Sequence, residues 1–135
     1  FIPDEYIDIT AEKMRIYKQL DSFFSEKEID RLYAQLEDRF GKCPPQVDNL
    51  FNIVKIRNVA QQLGFEKIII KNGMFICFFI SNPMSDYFTS EAFAQILEKI
   101  NKSPFALKQS EGKLKIITRG INSTKEALDT IKKLQ

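Results

Sequence analysis

Hydrophobic residues recur at intervals of three and four positions in three stretches of the first 64 residues, a spacing typical of helices packed on one side. The predicted helices span 10–20, 26–40 and 46–63, after an extended segment over 1–9. Thr10 is the predicted N-cap of the first helix, and Ser25 and Glu28 have the spacing of a capping box before the second. Gly41 and Gly64 follow the second and third helices, where a left-handed C-terminal residue is common.

After Gly64 the pattern changes to short runs rich in β-branched and aromatic residues. Asn72-Gly73 lies between two such runs and suits a type I′ hairpin turn, in which both central residues have positive φ. A second hairpin is predicted around Ser110-Glu111-Gly112, and a capping box beginning at Ser123 precedes the last helix. The predicted strands span 67–71, 74–80, 105–109 and 113–118, and the predicted helices span 89–100 and the residues after 123.

These elements predict an α+β fold, in which three N-terminal helices are followed by ββα-ββα. Because both strand pairs are hairpins, the sheet should be mainly antiparallel, with helices on one face. We expect a single domain over residues 1–135, with a helical half over 1–64 and an α/β half over 65–135.

The composition agrees with one globular domain, since 44% of the 135 residues are hydrophobic. The net charge of +2 gives no general attraction to nucleic acid. Residues 1–64 carry 9 Lys and Arg against 11 Asp and Glu, and residues 65–135 carry 11 against 7. The chain begins with Phe1, so we expect a processed product or a piece of a longer protein.

Membrane, secretory and disulfide classes receive no support from the sequence. No apolar run approaches the roughly 18 residues of a membrane span, and no signal sequence precedes the helices. Cys43 and Cys77 are far apart in the chain and form no metal-binding motif. We expect two free thiols, a cytoplasmic location and no membrane partner.

Catalytic and cofactor-binding motifs are also missing from the sequence. The chain has no His, so no nucleophile can be paired with an imidazole base. The five glycines are scattered and build no phosphate-binding loop. We expect a domain that is not an enzyme, with no catalytic residue, no metal and no cofactor.

One candidate nucleic-acid surface is the second hairpin, where basic residues are concentrated. Strand alternation places Lys113, Lys115 and Ile117 on one face and Leu114, Ile116 and Thr118 on the other. Such a basic face could contact phosphates, or it could be a solvated face whose lysines protect an edge strand. No aromatic residue is interleaved with these cations in the sequence, which weakens the hypothesis of single-strand binding. The candidate residues are Lys108, Lys113, Lys115 and Arg119.

A second candidate surface lies on the helix that ends at Phe40 and Gly41. Asp38 lies opposite the buried stripe of that helix, and Gln35 shares its face at a spacing of three residues. Arg31 and Glu28 continue the same polar ridge toward the start of the helix, and Arg39 is well placed near the helix C-terminus. These residues could dock a partner. Alternatively, Arg39 caps the helix and Asp38 pairs with it or with a nearby Lys.

Several motifs of the first 64 residues resemble the C-terminal domain of bacterial transcription-repair coupling factors. The matching segments are Ile2-Pro3-Asp4-Glu5-Tyr6-Ile7, Arg15-Ile16-Tyr17, Leu36-Glu37-Asp38-Arg39-Phe40-Gly41 with Pro44 after it, and Ala60-Gln61-Gln62-Leu63-Gly64. Beyond Gly64 the resemblance is one of length and element order.

The resemblance implies a non-catalytic, autoinhibitory module of an ATP-dependent DNA translocase that removes stalled RNA polymerase and recruits UvrA. The module is expected to dock on the N-terminal UvrB-like module of the same parent chain and to mask the UvrA-binding surface. DNA would be contacted by the parent's motor domains. The docking edge of the family is acidic, and Asp38 matches one of its residues, whereas Gln35 stands where a second acid is expected.

Overall fold

A computed structural model describes all 135 residues and shows an α+β fold with a four-stranded antiparallel sheet. The elements are α1 (Thr10–Ser22), α2 (Glu26–Phe40), α3 (Pro45–Leu63), β1 (Phe65–Lys71), β2 (Met74–Phe79), a 3₁₀ turn (Asp86–Thr89), α4 (Glu91–Asn101), β3 (Ala106–Ser110), β4 (Lys113–Arg119) and α5 (Thr124–Lys132). None of these helices has the length and apolar character needed to cross a membrane. The predicted fold class and element order are confirmed.

The helix starts follow the capping chemistry of the sequence in all but one predicted case. The Ser25 hydroxyl accepts a hydrogen bond from the Glu28 amide at 3.3 Å, and Glu28 in turn accepts from the Phe24 amide at 3.4 Å. The expectation that Thr10 caps α1 is wrong. Thr10 is the first helical residue, and the N-cap is Ile9, whose side chain has no oxygen to accept a bond.

The sheet has the strand order β1-β2-β4-β3, so that the two hairpins meet along β2 and β4. Both hairpins turn through two residues with positive φ, Asn72-Gly73 and Glu111-Gly112. This geometry is that of type I′ turns, which match the twist of the strands they join. The second turn is shorter than the sequence predicted, because Ser110 pairs with Lys113 and belongs to β3.

The chain divides into two compact units, residues 1–58 and residues 59–135, with the boundary inside α3. The first unit has a core built by α1, α2, the first part of α3 and the segment before α1. That segment was expected only to be extended, yet Ile2 and Ile7 are 3% and 2% exposed. The organisation of the chain as one domain with two halves stays a prediction.

The second unit is built around the sheet, whose two faces differ sharply in burial. The covered face carries Phe75, Cys77, Phe79, Ile116 and Thr118, none of which is more than 4% exposed. Phe79 packs edge-on against Phe93 of α4, with ring centroids 5.4 Å apart. We call the other side the open face. None of its residues is buried. They are Lys67, Ile69, Lys71, Met74, Ile76, Phe78, Ala106, Lys108, Ser110, Lys113, Lys115, Ile117 and Arg119.

Gly64 ends α3 at a place where only glycine fits. Its φ is +100°, and a Cβ added there would lie 2.2 Å from Cζ of Tyr87. The Tyr87 hydroxyl donates a hydrogen bond to the Leu63 carbonyl at 2.5 Å, and burial raises the pKa of Tyr87 to about 12. The tyrosine therefore occupies the space that a side chain at residue 64 would need.

Candidate docking site and basic sheet face

The corner after α2 is fixed by contacts that reach back to the N-terminal segment. Gly41 is the C-cap of α2 with φ +88°, and its carbonyl accepts a hydrogen bond of 2.7 Å from the Tyr6 hydroxyl. The Tyr6 ring also packs against Phe40, with centroids 5.9 Å apart. The end of α2 is thus held by residues far from it in sequence, which gives the helix a defined position in the first unit.

Polar groups beneath this corner are satisfied within the unit. The Cys43 amide donates to a Glu37 carboxylate oxygen at 3.3 Å, and the Cys43 sulfur lies 3.3 Å from the Tyr6 hydroxyl. The Tyr33 hydroxyl donates to Asp48 at 2.6 Å, and this bond, together with burial, raises the pKa of Tyr33. Burial also raises the pKa of the Cys43 thiol. Glu37 and Cys43 therefore serve the fold of the corner.

Arg39 is engaged with α1. One guanidinium nitrogen lies 2.7 Å from a Glu12 oxygen, and the guanidinium carbon lies 4.8 Å from the centre of the Phe40 ring. Glu12 also accepts two hydrogen bonds of 2.9 Å from Arg15. The bonds from Arg15 and then from Arg39 hold the pKa of Glu12 at about 2. Glu12 thus joins α1 to the end of α2.

Sequence reasoning did not find Glu12. Its pairing with Arg15, three residues later on the same helix, is a local signal that a sequence can show. Its pairing with Arg39 spans 27 positions and depends on how α1 and α2 pack. The sequence pattern does not give the packing angle between α1 and α2.

Three predicted residues form a continuous exposed strip on α2, which we call the α2 ridge: Arg31, Gln35 and Asp38. Their spacings of four and three residues place them on one side of the helix. All three are exposed, and none of their side chains makes a hydrogen bond or ion pair with the rest of the chain. The alternative in which Asp38 pairs with Arg39 or a nearby Lys is not observed, since Arg39 pairs with Glu12 and Asp38 has no ion pair with any cation of the chain. The ridge is therefore free to meet a partner.

The predicted basic residues of the second hairpin all lie on the open face. Lys108 and Lys115 are direct cross-strand neighbours, and Lys113 and Arg119 lie on β4 on either side of Lys115. Arg119 places a guanidinium nitrogen 3.2 Å from the Met74 sulfur. The cations that the sequence singled out are thus brought onto one surface.

No aromatic residue is interleaved with these cations in the sequence, but the fold places one beside them. Phe78 of β2 is the direct neighbour of both Lys67 and Lys115. The two ammonium groups lie 5.7 and 5.6 Å from the centre of its ring, within the range of cation–π attraction. Phe78 escaped notice because it belongs to the other hairpin, and strand pairing alone brings it beside Lys115.

Comparison with known families assigns the chain to a class. The family model described as the TRCF domain matches residues 1–90, and the chain belongs to this family. The match includes the α2 ridge and the corner after it.

The relatives are transcription-repair-coupling factors. The chain is 33% identical over 87 residues to that of Rickettsia typhi, covering 64% of this chain and 8% of the relative. It is 33% identical over 67 residues to that of Escherichia coli K12, covering 50% of this chain and 6% of the relative. The chain thus spans less than a tenth of the length of these curated relatives.

A solved structure of the C-terminal domain of a transcription-repair coupling factor has the same fold. Its TM-score is 0.78, and the match covers 99% of this chain and 85% of the solved one. At 17% sequence identity this likeness extends the shared fold beyond residue 90, to α4, the second hairpin and α5.

Proposed function

We propose that this chain is a non-catalytic regulatory domain of a transcription-repair coupling factor and docks through the α2 ridge. Its partner is the N-terminal UvrB-like module of the same parent protein. Docking masks the UvrA-binding surface and restrains the DNA translocase until RNA polymerase is engaged. Membership in the TRCF family supports the parentage. The observation that carries the docking surface is the unpaired state of Arg31, Gln35 and Asp38.

The arrangement of α2 favours a reversible contact. The neighbours of the ridge are already used inside the fold, since Glu28 serves the helix start and Glu37 and Arg39 serve the corner. The ridge itself offers one cation, one amide and one carboxylate without any apolar anchor. Such a strip suits a contact between domains that must open, because exposed polar groups return to water without a large penalty.

The expected energy also fits a switch. Exposed ion pairs contribute about 0.2–1 kcal/mol each and a hydrogen bond about 0.5–1.5 kcal/mol, so the two charges and the Gln35 amide together supply on the order of 1–3 kcal/mol. A coupling of that size shifts an equilibrium between closed and open states by about 5- to 150-fold. Since the pairs are exposed, raising the salt concentration should weaken the closed state.

Charge reversal in the full-length coupling factor tests the proposal. Asp38→Arg and Arg31→Glu should each raise UvrA binding and ATPase activity in the absence of RNA polymerase, because like charges would then oppose docking. Asp129→Arg is the matched control, since Asp129 is an exposed helical acid on α5 with no partner in the chain. If the ridge variants behave as the control does, the α2 ridge is not the docking surface.

A further inference from the structure

The Lys and Arg residues of the sheet all lie on one of its two faces. The four strands contain six Lys and Arg, and strand register places all six on the open face. They are Lys67, Lys71, Lys108, Lys113, Lys115 and Arg119. The strands contain one acid, Glu66, which lies at the register shift of β1. No carboxylate is therefore aligned with the cations in the paired part of this face.

The open face is ordered in rows across the strands. One row is Lys67, Phe78, Lys115 and Lys108, and the next is Ile69, Ile76, Ile117 and Ala106. A third row is Lys71, Met74 and Arg119. An apolar band thus runs between two basic rows, with neighbouring rows about 7 Å apart.

Edge protection does not explain this pattern. Lysines on edge strands discourage pairing with another sheet, which accounts for Lys67 and Lys71 on β1 and for Lys108 on β3. Lys113, Lys115 and Arg119 lie on β4, an inner strand paired on both sides. Moreover, Lys108 and Lys115 are directly opposite, an arrangement of like charges that destabilises a sheet. An anionic ligand would relieve this repulsion.

We propose that the open face binds single-stranded nucleic acid, with phosphates on the basic rows and bases on Phe78 and the apolar band. Four-stranded sheets with helices behind them and an aromatic residue on an inner strand are suited to bases lying flat. The apolar band distinguishes this ligand from an acidic peptide, whose carboxylates would gain nothing from Ile69, Ile76 and Ile117. It also distinguishes single strands from a duplex, whose stacked bases could not reach Phe78.

A pocket at one end of the face supports the same ligand. It has a volume of about 480 Å³, and its lining joins Lys67, Phe78 and Lys113 of the open face to Glu66 and to residues of the covered side such as Phe79 and Leu114. That volume lies in the range of pockets that enclose small ligands, and a nucleobase fits within it. The pocket adjoins Lys67 and Phe78 at the ends of the β-strands, so a nucleic-acid strand lying across the open face could place a terminal base there.

The test is fluorescence anisotropy of the 135-residue chain with labelled oligothymidine and oligouridine, each about 15 nucleotides long. The same sequence as a duplex and polyglutamate are the comparison ligands. We expect saturable binding of one or both single strands, weaker binding of the duplex and no effective competition by polyglutamate. The DNA and RNA arms show which single strand is preferred. Equal binding of the duplex, or displacement by polyglutamate at equal charge concentration, would overturn the proposal.

Two double variants distinguish binding at the open face from non-specific attraction to positively charged residues elsewhere on the chain. Lys113→Ala with Lys108→Ala should weaken binding by tenfold or more and lower the salt slope by about 0.7 for each lost phosphate contact. The matched control is Lys125→Ala with Lys133→Ala, which removes the same charge from exposed positions on and just after α5. Equal losses in the two double variants would mean that binding is not local to the open face.

A third variant tests the aromatic contact. Phe78→Leu retains an apolar side chain and all six cations, and it should weaken binding about fivefold or more because base stacking on the ring is lost. Circular dichroism of each variant establishes that it is folded. Unchanged binding by folded Phe78→Leu would refute the stacking contact. These results do not depend on the α2 ridge, so they stand or fall separately from the docking function.

Discussion

Replacing Asp38 by Asn should stabilise the domain while weakening its docking. Asp38 lies in the last turn of α2, two residues before the helix ends at Phe40. The C-terminus of a helix carries about half a negative charge, and a carboxylate there is unfavourable by about 0.3–1 kcal/mol. Because Asp38 is exposed and has no partner in the chain, its removal gives up no internal interaction.

The expected gain follows from these facts. Because Asp38 is exposed, removing its unfavourable interaction with the helix C-terminus should stabilise the domain by about 0.3–0.5 kcal/mol, the low end of the range for such charges. Asp and Asn have nearly equal helix propensity, so propensity adds no further change. With a urea dependence of about 1.5 kcal/mol per molar, the unfolding midpoint should rise by about 0.2–0.3 M. The measurement is urea unfolding followed by circular dichroism, with the slope required to stay the same.

Asp129→Asn is the matched control for both parts of the prediction. Asp129 is also an exposed acid in the last turn of its helix, α5, so its replacement should stabilise by a similar amount. Only Asp38→Asn should weaken docking in the full-length protein. A lower urea midpoint for Asp38→Asn would show that Asp38 has a stabilising partner inside the domain, and the reasoning about a free ridge would fail.

Three further outcomes are expected from the same structure. The pKa of Glu12 is lowered to about 2, so the ionised carboxylate contributes its full stability above about pH 4.5 and loses it as the pH falls toward 2. The difference in urea midpoint between wild type and Glu12→Gln should therefore shrink between about pH 4.5 and about pH 2. Gly64→Ala should lower the free energy of unfolding by about 1–3 kcal/mol or more, through backbone strain and a clash with Tyr87. This loss should be larger than that of Gly112→Ala, because residue 112 also has a positive φ but a Cβ there would meet nothing within 4 Å. Equal losses of stability in thermal unfolding would argue against the clash. The thiol of Cys77 is fully buried and its pKa is raised by burial, so iodoacetamide should label it only on unfolding; labelling of the native chain at the rate of a free thiol would contradict this burial.

The element order could be predicted because its signals are local. The stripe of α2, the Ser25 and Ser123 caps and the Asn72-Gly73 turn each depend on residues within one or two helical turns or one hairpin. The prediction that Thr10 is an N-cap was wrong because it also relied on a local signal. A hydroxyl residue near a helix start is a signal that shifts easily by one position, and here the N-cap is Ile9.

The candidate sites were only partly predictable. The spacing of Arg31, Gln35 and Asp38 along one helix was enough to place them on one side. The sequence could not show whether Asp38 is paired with Arg39. In the structure Arg39 binds Glu12 of α1 instead, and that contact depends on how the two helices pack. Phe78 was missed as a neighbour of Lys115 because the two belong to different hairpins.

The sequence by itself determined the helices, the hairpins and their antiparallel pairing within each hairpin, since these depend on periodicity, caps and turns. It also determined the family, through motifs in the first 64 residues. Only the tertiary structure decided which polar groups are free and which cations share a surface. The physical reason is that the packing angle of α1 on α2 selects the partner of Arg39, and the pairing of β2 with β4 gathers two separate sets of lysines around Phe78.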